Sequence, residues 1–374
     1  MTNVGNYDTM DKRIQNILEE YNMIDNHKTW AVPEYSKNQI NKAGKTLSLS
    51  DIPLKEKNEA LLILNNWRAS HGYPLQEIYN ILKEINPDAI VAQRLKRLNS
   101  IVGKLKRFEN MSLYRIQDLG GCRVIVKDIK EIYQAVEIFK NYIVLNTKFE
   151  LKRENDYIKN PKKSGYRSYH LVYKYHSDKN ETYNKNILIE IQFRTKLQHI
   201  WATAVEMMAI STKSNLKASQ GNEDILRFFT LVSSLFAIEE HTSICPNTSN
   251  DENELLKEIN DLNQKHHIMD TLNALSTTIK YNYKSTNNKM EYYILDLHYI
   301  EKYVNVYGYP KDNIEQATFV YNQLESSATN DENIVLVSAD SLDSLKLAYP
   351  NYFADIRKFI TVLNKYNAKF TQSH

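Results

Sequence analysis

Residues 156–206 constrain the fold of this chain more than any other stretch. They open DYIKNPKKSGYRSYHLVYKY and, after a turn at His176–Asn180, close on ILIEIQFRTKLQHIWATAVE. From Tyr166 to Tyr175 the residues alternate, with Tyr169, Leu171 and Tyr173 on one side and His170, Val172 and Lys174 on the other, which is the period of a strand. Ile187–Phe193 repeats the pattern with Leu188, Glu190 and Gln192 on one face. Thr195 closes that strand, and Leu197–Met208 continues as a helix. Strand, turn, strand and helix in this order predict an α/β (α+β) fold, a mixed sheet with helices packed against it. The basic loop around Gly165, set before a strand that carries a carboxylate, is suited to holding phosphate groups.

Working outward, residues 11–25 predict a short helix and 28–53 a connecting segment broken by Pro33, Gly44 and Pro53. Helices are expected from Leu54 to Trp67 and from Pro74 to Ile85. Pro87 opens a third, with Ile90, Val91, Leu95, Leu98, Val102 and Leu105 at core spacing. Arg94–Arg107, on that element, holds six Lys/Arg and no acid. Unrelieved cations at helical spacing repel, so the flank is either a solvated face or a clamp for an anion. LGGCRVIVK (119–127) reads as a buried strand, followed by a helix from Asp128 to Tyr142; an edge strand is expected near Thr147–Leu151. Leu226–Ile238 is an apolar helix, Glu252–Lys280 a long polar helix that reads as an arm, and Asn282–Asn288 a boundary. The remainder predicts a small β-β-α-β-α module from Tyr292–His298, Tyr303–Tyr307, Ile314–Leu324, Ile334–Ser338 and a last helical part interrupted at Pro350. The expected units are therefore 1–54 (helical and connecting), 55–240 (main α/β domain), 241–288 (helical arm) and 289–374 (regulatory module). The last shows no metal or phosphate motif in its sequence, which favours binding or regulation over catalysis.

At 374 residues and 42% hydrophobic content the chain can bury a large core, and its net charge of +3 makes the local basic run more informative than the total. Cys122 and Cys245, the two cysteines, have no ligand spacing. That pattern fits a cytoplasmic protein without a disulfide framework. No run of eighteen apolar residues suggests a membrane span. HExxH, GxSxG and GxxxxGK are absent, which leaves zincin, serine hydrolase and P-loop readings without support.

Nucleotide phosphate chemistry requires cations, one or two carboxylates for a hard divalent ion, and a group that positions a hydroxyl. Asp118 and Glu190, each beside a strand, are the candidate magnesium ligands. Arg94, Lys96, Lys104 and Arg123 can take phosphates, with Lys162 closing from the loop. Gln192 shares the Glu190 face; Tyr166 can stack a base, and His170 can bond a phosphate or ribose. A buried Glu190 satisfied by Arg194 is the structural alternative. His199 and Trp201 can contact phosphate or simply cap and pack.

DYIKNPKKSGYRSYH (156–170), IEIQFRT (189–195), IQDLGGCRVIV (116–126) and RLKRLNSIVGKL (94–105) together resemble the synthetase domain of the RelA/SpoT family over about residues 55–240. The resemblance implies a nucleotidyltransferase-like fold and transfer of pyrophosphate from ATP to a ribose 3′-hydroxyl, releasing AMP. It assigns Asp118 and Glu190 to Mg2+, with Glu190 and Gln192 at the reacting hydroxyl. Arg94, Lys96, Ser100, Lys104, Arg123 and His170 go to the ATP side, and Tyr166 to the acceptor base. NNWRASHGYPL (65–75) and QHIWATAVE resemble the toxic small synthetases. One branch of these modifies the 3′-CCA end of tRNA, the acceptor taken first here; Lys152, Arg153 and Lys162 are available for its acceptor stem, although the same cations could meet the pyrophosphate of GDP or GTP. Alternatively the acceptor is GDP, GTP or an adenine nucleotide, giving an alarmone. A degenerate, catalytically inactive RNA-binding module is the reading of another class. The C-terminal module resembles the antitoxin-like, pseudo-zinc-finger domain of CapRel-type phage-defence proteins. That likeness implies inhibition in cis through a YxxY element, here Tyr349 and Tyr352, relieved by a phage capsid protein; a monomer is compatible with it.

Overall fold

A computed structural model describes residues 13–19, 30–145, 147–177, 180–212, 216, 221–276, 280–284, 290–298, 300–329, 332–353 and 356–373. Tyr21 and residues 285–289, which take part in the expected N-terminal helix and the expected boundary, lie outside them. Its centre is one nine-stranded mixed sheet of order β3-β4-β5-β2-β1-β9-β7-β8-β6, flanked by helices. The strands are β1 (Ile90–Leu95), β2 (Gly120–Val126), β3 (Phe149–Asp156), β4 (Tyr169–Tyr175), β5 (Leu188–Thr195), β6 (Lys280–Lys284), β7 (Met290–His298), β8 (Tyr303–Pro310) and β9 (Glu332–Ser338). β2 runs parallel to β5 and β6 to β8; the other neighbours are antiparallel.

The helices are α1 (13–19), α2 (Lys37–Ser48), α3 (Leu54–Ala69), α4 (Gly72–Ile85), α5 (Leu98–Arg107), α6 (Ile129–Val144), α7 (Lys196–Ser211), α8 (Glu223–Glu239), α9 (Glu252–His266), α10 (Ile268–Ser276), α11 (Ile314–Ser326), α12 (Leu342–Ala348) and α13 (Arg357–Ser373). The mixed sheet flanked by helices agrees with the expected class. Four elements differ from expectation. Lys280–Lys284 forms strand β6, parallel to β8, where the end of the polar helix and the start of a boundary are expected. The segment 28–53 contains a full helix, α2, started by a capping box in which Ser36 and Gln39 satisfy each other's backbone N–H groups. The helix expected from Pro87 is instead β1 followed by α5, with only Lys96 and Arg97 between them. The long polar helix is two helices, because His267 takes φ 49° and ends α9.

Four buried clusters organise the packing. Leu64, Trp67, Ile78, Leu82, Ile101 and Phe139 from α3–α6 cover one region of the sheet with Val124, Leu171, Ile191 and Phe193. A second, helical cluster joins Trp201, Phe228, Phe236, Leu255 and Ile259 to Phe359 and Leu363 of α13. The C-terminal helix thus completes a core begun by α7 and α8. On β7, Tyr293, Leu295 and Leu297 face a cluster with Ala92, Tyr349 and Tyr352, whereas Tyr292 and Ile294 face α11. Ala92 of β1 is therefore packed against residues of the C-terminal module. No helix among the described residues is long and apolar enough to cross a membrane.

Candidate active site

The functional candidates converge because four central strands carry them side by side. Register sets Gly121 of β2 opposite Glu190 of β5 and Arg123 opposite Gln192. On the other flank of β5, His170 pairs with Gln192 and Val172 with Glu190. Side chains alternate along each strand, so Glu190, Gln192 and Arg194 share one face, and His170 of β4 reaches Glu190 diagonally.

Asp118 lies in the approach to β2, between Lys96, which follows β1, and Lys104 on α5. Both lysines pair with it: Lys96 Nζ with Oδ2, and Lys104 Nζ with Oδ1 at 2.9 Å. Burial alone would raise the Asp118 carboxyl, but the two ammonium groups outweigh it and hold the carboxyl well below the usual range. Burial lowers Lys96, with Asp118 opposing that shift and Arg94 adding to it. Ser100 sits half-buried on α5, one turn before Lys104. Burial would raise the Glu190 carboxyl, and the charge of Asp118 adds to that, but His170 and Gln192 hold it below the usual range.

Glu190 closes a ring of five side chains. Its Oε1 meets His170 Nδ1 at 3.1 Å, and its Oε2 accepts from Gln192 Nε2 at 2.7 Å. Arg194 Nη2 donates to Gln192 Oε1 and to the Tyr166 hydroxyl, each at 2.8 Å. Tyr166 and His170 Nε2 complete the ring at 2.7 Å. Arg194 therefore serves Tyr166 and Gln192, and the partners of Glu190 are His170 and Gln192 rather than the arginine expected from sequence. Burial would raise the Tyr166 phenol, yet the charges of Arg194 and His170 bring it down to about 7. Burial would likewise depress His170, but Tyr166 and Glu190 raise it. Hydrogen bonds therefore link Glu190, His170 and Tyr166 in a continuous chain.

The loop holds Tyr166 from the other side. Gly165 takes φ +85°, and a Cβ there would meet Trp201 Cζ2 at 2.9 Å. Lys162 Nζ sits 4.2 Å from the centre of the Tyr157 ring and 5.1 Å from that of Tyr166. Tyr157 also packs edge-on against His170, with centroids 5.2 Å apart. Sequence reasoning passed over Tyr157, although its place five residues before the lysine pair of the loop is a usable signal. Lys152 and Arg153 are exposed on the edge strand β3, where Lys152 pairs with Glu150 and Arg153 Nε donates to Asn155 Oδ1 at 3.4 Å. They lie outside the five-membered ring.

The phosphate-side cations meet the C-terminal module. Arg123 Nη1 donates to the Ala348 carbonyl at 3.1 Å, and its guanidinium lies 5.8 Å from the Tyr349 ring centre. Burial, reinforced by Arg194, lowers Arg123 to about 10. Arg94 of β1 stands opposite Val337 of β9. Tyr349 donates its hydroxyl to the Gln93 carbonyl at 2.9 Å; Tyr352 bonds Asn333, which also receives Arg97. His199 is buried against the Leu347 carbonyl at 2.9 Å, and Trp201 Nε1 donates to the Phe229 carbonyl at 2.7 Å, so both pack rather than face an open site. Arg68 and Glu325, absent from the sequence-level candidates, form a buried pair between α3 and α11, and Glu325 also accepts from the Leu98 N–H at the start of α5.

The C-terminal module carries one feature contrary to expectation. Asp296, His298 and Glu332 place potential metal-ligating atoms within 4.8 Å of one another, a grouping made by strand pairing that no linear motif announces.

Comparison with known proteins places the centre of this site in a known family. Residues 93–214 match the profile described as "Region found in RelA / SpoT proteins". The chain is 30% identical over 145 residues to GTP pyrophosphokinase YjbM of Bacillus subtilis (strain 168), covering 38% of this chain and 66% of that protein. It is 31% identical over 135 residues to GTP pyrophosphokinase YwaC of the same organism, covering 34% of this chain and 61% of that protein. The matched segment thus spans less than two thirds of either relative. Among solved structures, small alarmone synthetase 1 of Bacillus subtilis bound to its product pppGpp aligns at 24% identity over 46% of this chain and 88% of its own, with a TM-score of 0.37. The matched segment contains Asp118, Glu190, Tyr166 and the cations of β1, α5 and β2, and over residues 93–214 the chain carries a RelA/SpoT-family domain.

Proposed function

We propose that the chain is a pyrophosphotransferase that moves the β,γ-pyrophosphate of ATP to the ribose 3′-hydroxyl of a guanosine nucleotide, making an alarmone. The observation that carries this reading is Asp118, poised between two lysines in the approach to β2, the strand whose Gly121 stands opposite Glu190 of β5. The two Bacillus relatives, each a GTP pyrophosphokinase, favour a guanosine nucleotide such as GTP as acceptor over the tRNA end taken first from the sequence.

In this mechanism the acceptor 3′-oxygen attacks the β-phosphorus of ATP. The bond between that phosphorus and the bridging oxygen to the α-phosphate breaks, and AMP leaves with the bridging oxygen. The 3′-hydroxyl proton goes to Glu190, with His170 and Tyr166 able to spread the change in charge. Lys96, Lys104, Ser100, Arg94 and Arg123 hold phosphates and neutralise developing charge. Magnesium held by Asp118 and Glu190 would supply further charge neutralisation at the phosphate oxygens. Tyr166, with Lys162 over its ring, stacks the acceptor base.

The contacts of Tyr349 and Ala348 with Gln93 and Arg123 support a second element of the proposal: the C-terminal module inhibits in cis by covering the ATP-phosphate side. Its likeness to the pseudo-zinc-finger antitoxin domains of CapRel-type proteins, with a phage capsid protein as release signal, belongs to this reading. A tRNA 3′-CCA acceptor is the second possibility, favoured by the exposed Lys152 and Arg153 on the sheet edge.

The test is purified full-length protein with γ-labelled ATP and, separately, GDP, GTP, ADP or tRNA, scored for AMP release and for label on the acceptor. Label on guanosine nucleotides is the expected result. Asp118→Ala and Glu190→Ala should abolish AMP release, and Tyr349→Ala/Tyr352→Ala should increase it. Turnover that persists in both acidic variants refutes the mechanism; a tyrosine variant no more active than the parent refutes the cover.

A further inference from the structure

The C-terminal sheet holds a cluster of ionisable groups that the transferase site does not use. Asp296 and His298 project from the same face of β7, and Glu332 opens β9 directly opposite His298 in register. Asp296 is fully buried, and its Oδ2 lies 3.1 Å from His298 Nε2. Its other oxygen, Oδ1, has no hydrogen-bond partner among the described residues. Glu301 and Glu332 approach His298 Nδ1 to 3.8 and 3.9 Å, and the Tyr303 ring stacks on the imidazole with centroids 4.3 Å apart.

Three carboxylates therefore gather around one imidazole. Arg13 compensates part of the charge through Glu332 Oε1 at 3.2 Å, and the Thr329 N–H reaches Glu332 Oε2 at 2.8 Å. Each of those oxygens retains a second lone pair. Neither contact reaches Asp296 Oδ1, and a buried carboxylate oxygen without a donor is strongly disfavoured unless a cation serves it. A protonated His298 can satisfy Oδ2; it leaves Oδ1 bare.

We infer that Asp296, His298 and Glu332 form a binding site for a divalent transition-metal ion of the zinc class. Imidazole nitrogen with two carboxylates is a borderline donor set, suited to zinc, cobalt or manganese and poorly suited to magnesium or calcium, which take oxygen alone. Glu301 or water supplies the fourth position. The stacked Tyr303 ring fixes the imidazole plane, as a metal-ligating histidine requires. The ion ties the end of β7 to the start of β9, next to Asn333. Because Asn333 contacts Arg97 and Tyr352, the site also steadies the strand that meets the basic side of the transferase domain.

The experiment uses the full chain, stripped with chelator and titrated with zinc chloride against a chromogenic chelator, with cobalt(II) absorption spectra and thermal melting recorded in parallel. The expected results are one equivalent of zinc per chain, a rise of several degrees in the melting midpoint, and a cobalt spectrum of low-symmetry four-coordinate type. His298→Gln and Glu332→Gln should each weaken zinc binding at least tenfold. Glu332 opens its strand at the cluster's partly exposed edge, so its variant keeps the test valid should His298→Gln unfold. The proposal is overturned if the parent chain retains no stoichiometric zinc, or if folded Glu332→Gln binds zinc as tightly as the parent, which would mean adventitious binding to other histidines.

Discussion

Replacing Glu325 by Gln tests how strongly the two ends of the chain are tied together. The Glu325 carboxylate pairs with Arg68, 257 residues away, and accepts the Leu98 N–H at 2.7 Å. The two side chains are only 9% and 1% exposed, so solvent screens the pair little. Glu325→Gln leaves the Arg68 charge buried, with neutral partners among the described residues: the Asn65 and Asn322 side-chain oxygens at 3.0 and 2.8 Å, the Tyr321 hydroxyl at 3.2 Å and the Lys96 carbonyl at 3.4 Å. Removing one member of such a pair costs about 3–5 kcal/mol. With a urea dependence of roughly 1–3 kcal/mol per molar, a loss at the lower end moves the unfolding midpoint down by about 1–3 M. Arg68→Met should cost a similar amount. The double variant Arg68→Met/Glu325→Gln removes both charges together and should cost no more than either single change. Lys140→Ala, which breaks the exposed Lys140–Glu154 pair, is the control and should cost less than about 1 kcal/mol. Urea unfolding followed by far-UV circular dichroism measures all four. A Glu325→Gln loss below about 1 kcal/mol, or full additivity in the double variant, would refute the view that this buried pair locks the module in place.

Tyr166 should titrate near pH 7, seen as tyrosinate absorbance that disappears in Tyr166→Phe; a phenol titrating near pH 10 would count against the Arg194–His170 environment. Because its folded pKa lies below the unfolded value of about 10, the folded state binds fewer protons between those limits. Its contribution to stability should therefore grow from pH 7 to pH 10 and vanish as pH falls below 7, which urea midpoints of parent and Tyr166→Phe can compare. Gly165→Ala combines a positive φ with a Cβ 3.1 Å from Thr230 Cα, and should destabilise by roughly 2–4 kcal/mol and lower transfer activity; an unchanged melting curve would contradict it.

The chemistry of the site was more legible than its architecture. Asp118, Glu190 and Tyr166 stand out because polar groups beside or within apolar strands need a reason to be there, and Lys104 because it belongs to a basic run without an acid. Ile90–Leu95 was misread as helix because it is a central strand buried on both faces, where alternation fades and the three-and-four spacing of its apolar residues imitates a helix. Its second neighbour, β9, lies more than 200 residues downstream, beyond any local pattern. The partner of Glu190 was misassigned for a related reason. Arg194 is on the same strand and face but two pleats away, whereas His170 is a diagonal neighbour on the next strand, a relation set by register rather than spacing. Arg68–Glu325 and Asp296–His298–Glu332 were invisible on the same grounds.

The pairing of Gln93 and Arg94 with Ser338 and Val337 has a consequence for synthesis. A ribosome moving at about 5–20 residues per second needs roughly 12–50 s to travel from one partner to the other. During that interval β1 can pair with β2, while its opposite side exposes unpaired backbone groups and Gln93, Arg94 and Arg123 lack their C-terminal neighbours. Each newly made copy thus passes through a period in which its basic strand is open, and the length of that period is set by elongation rate rather than by affinity.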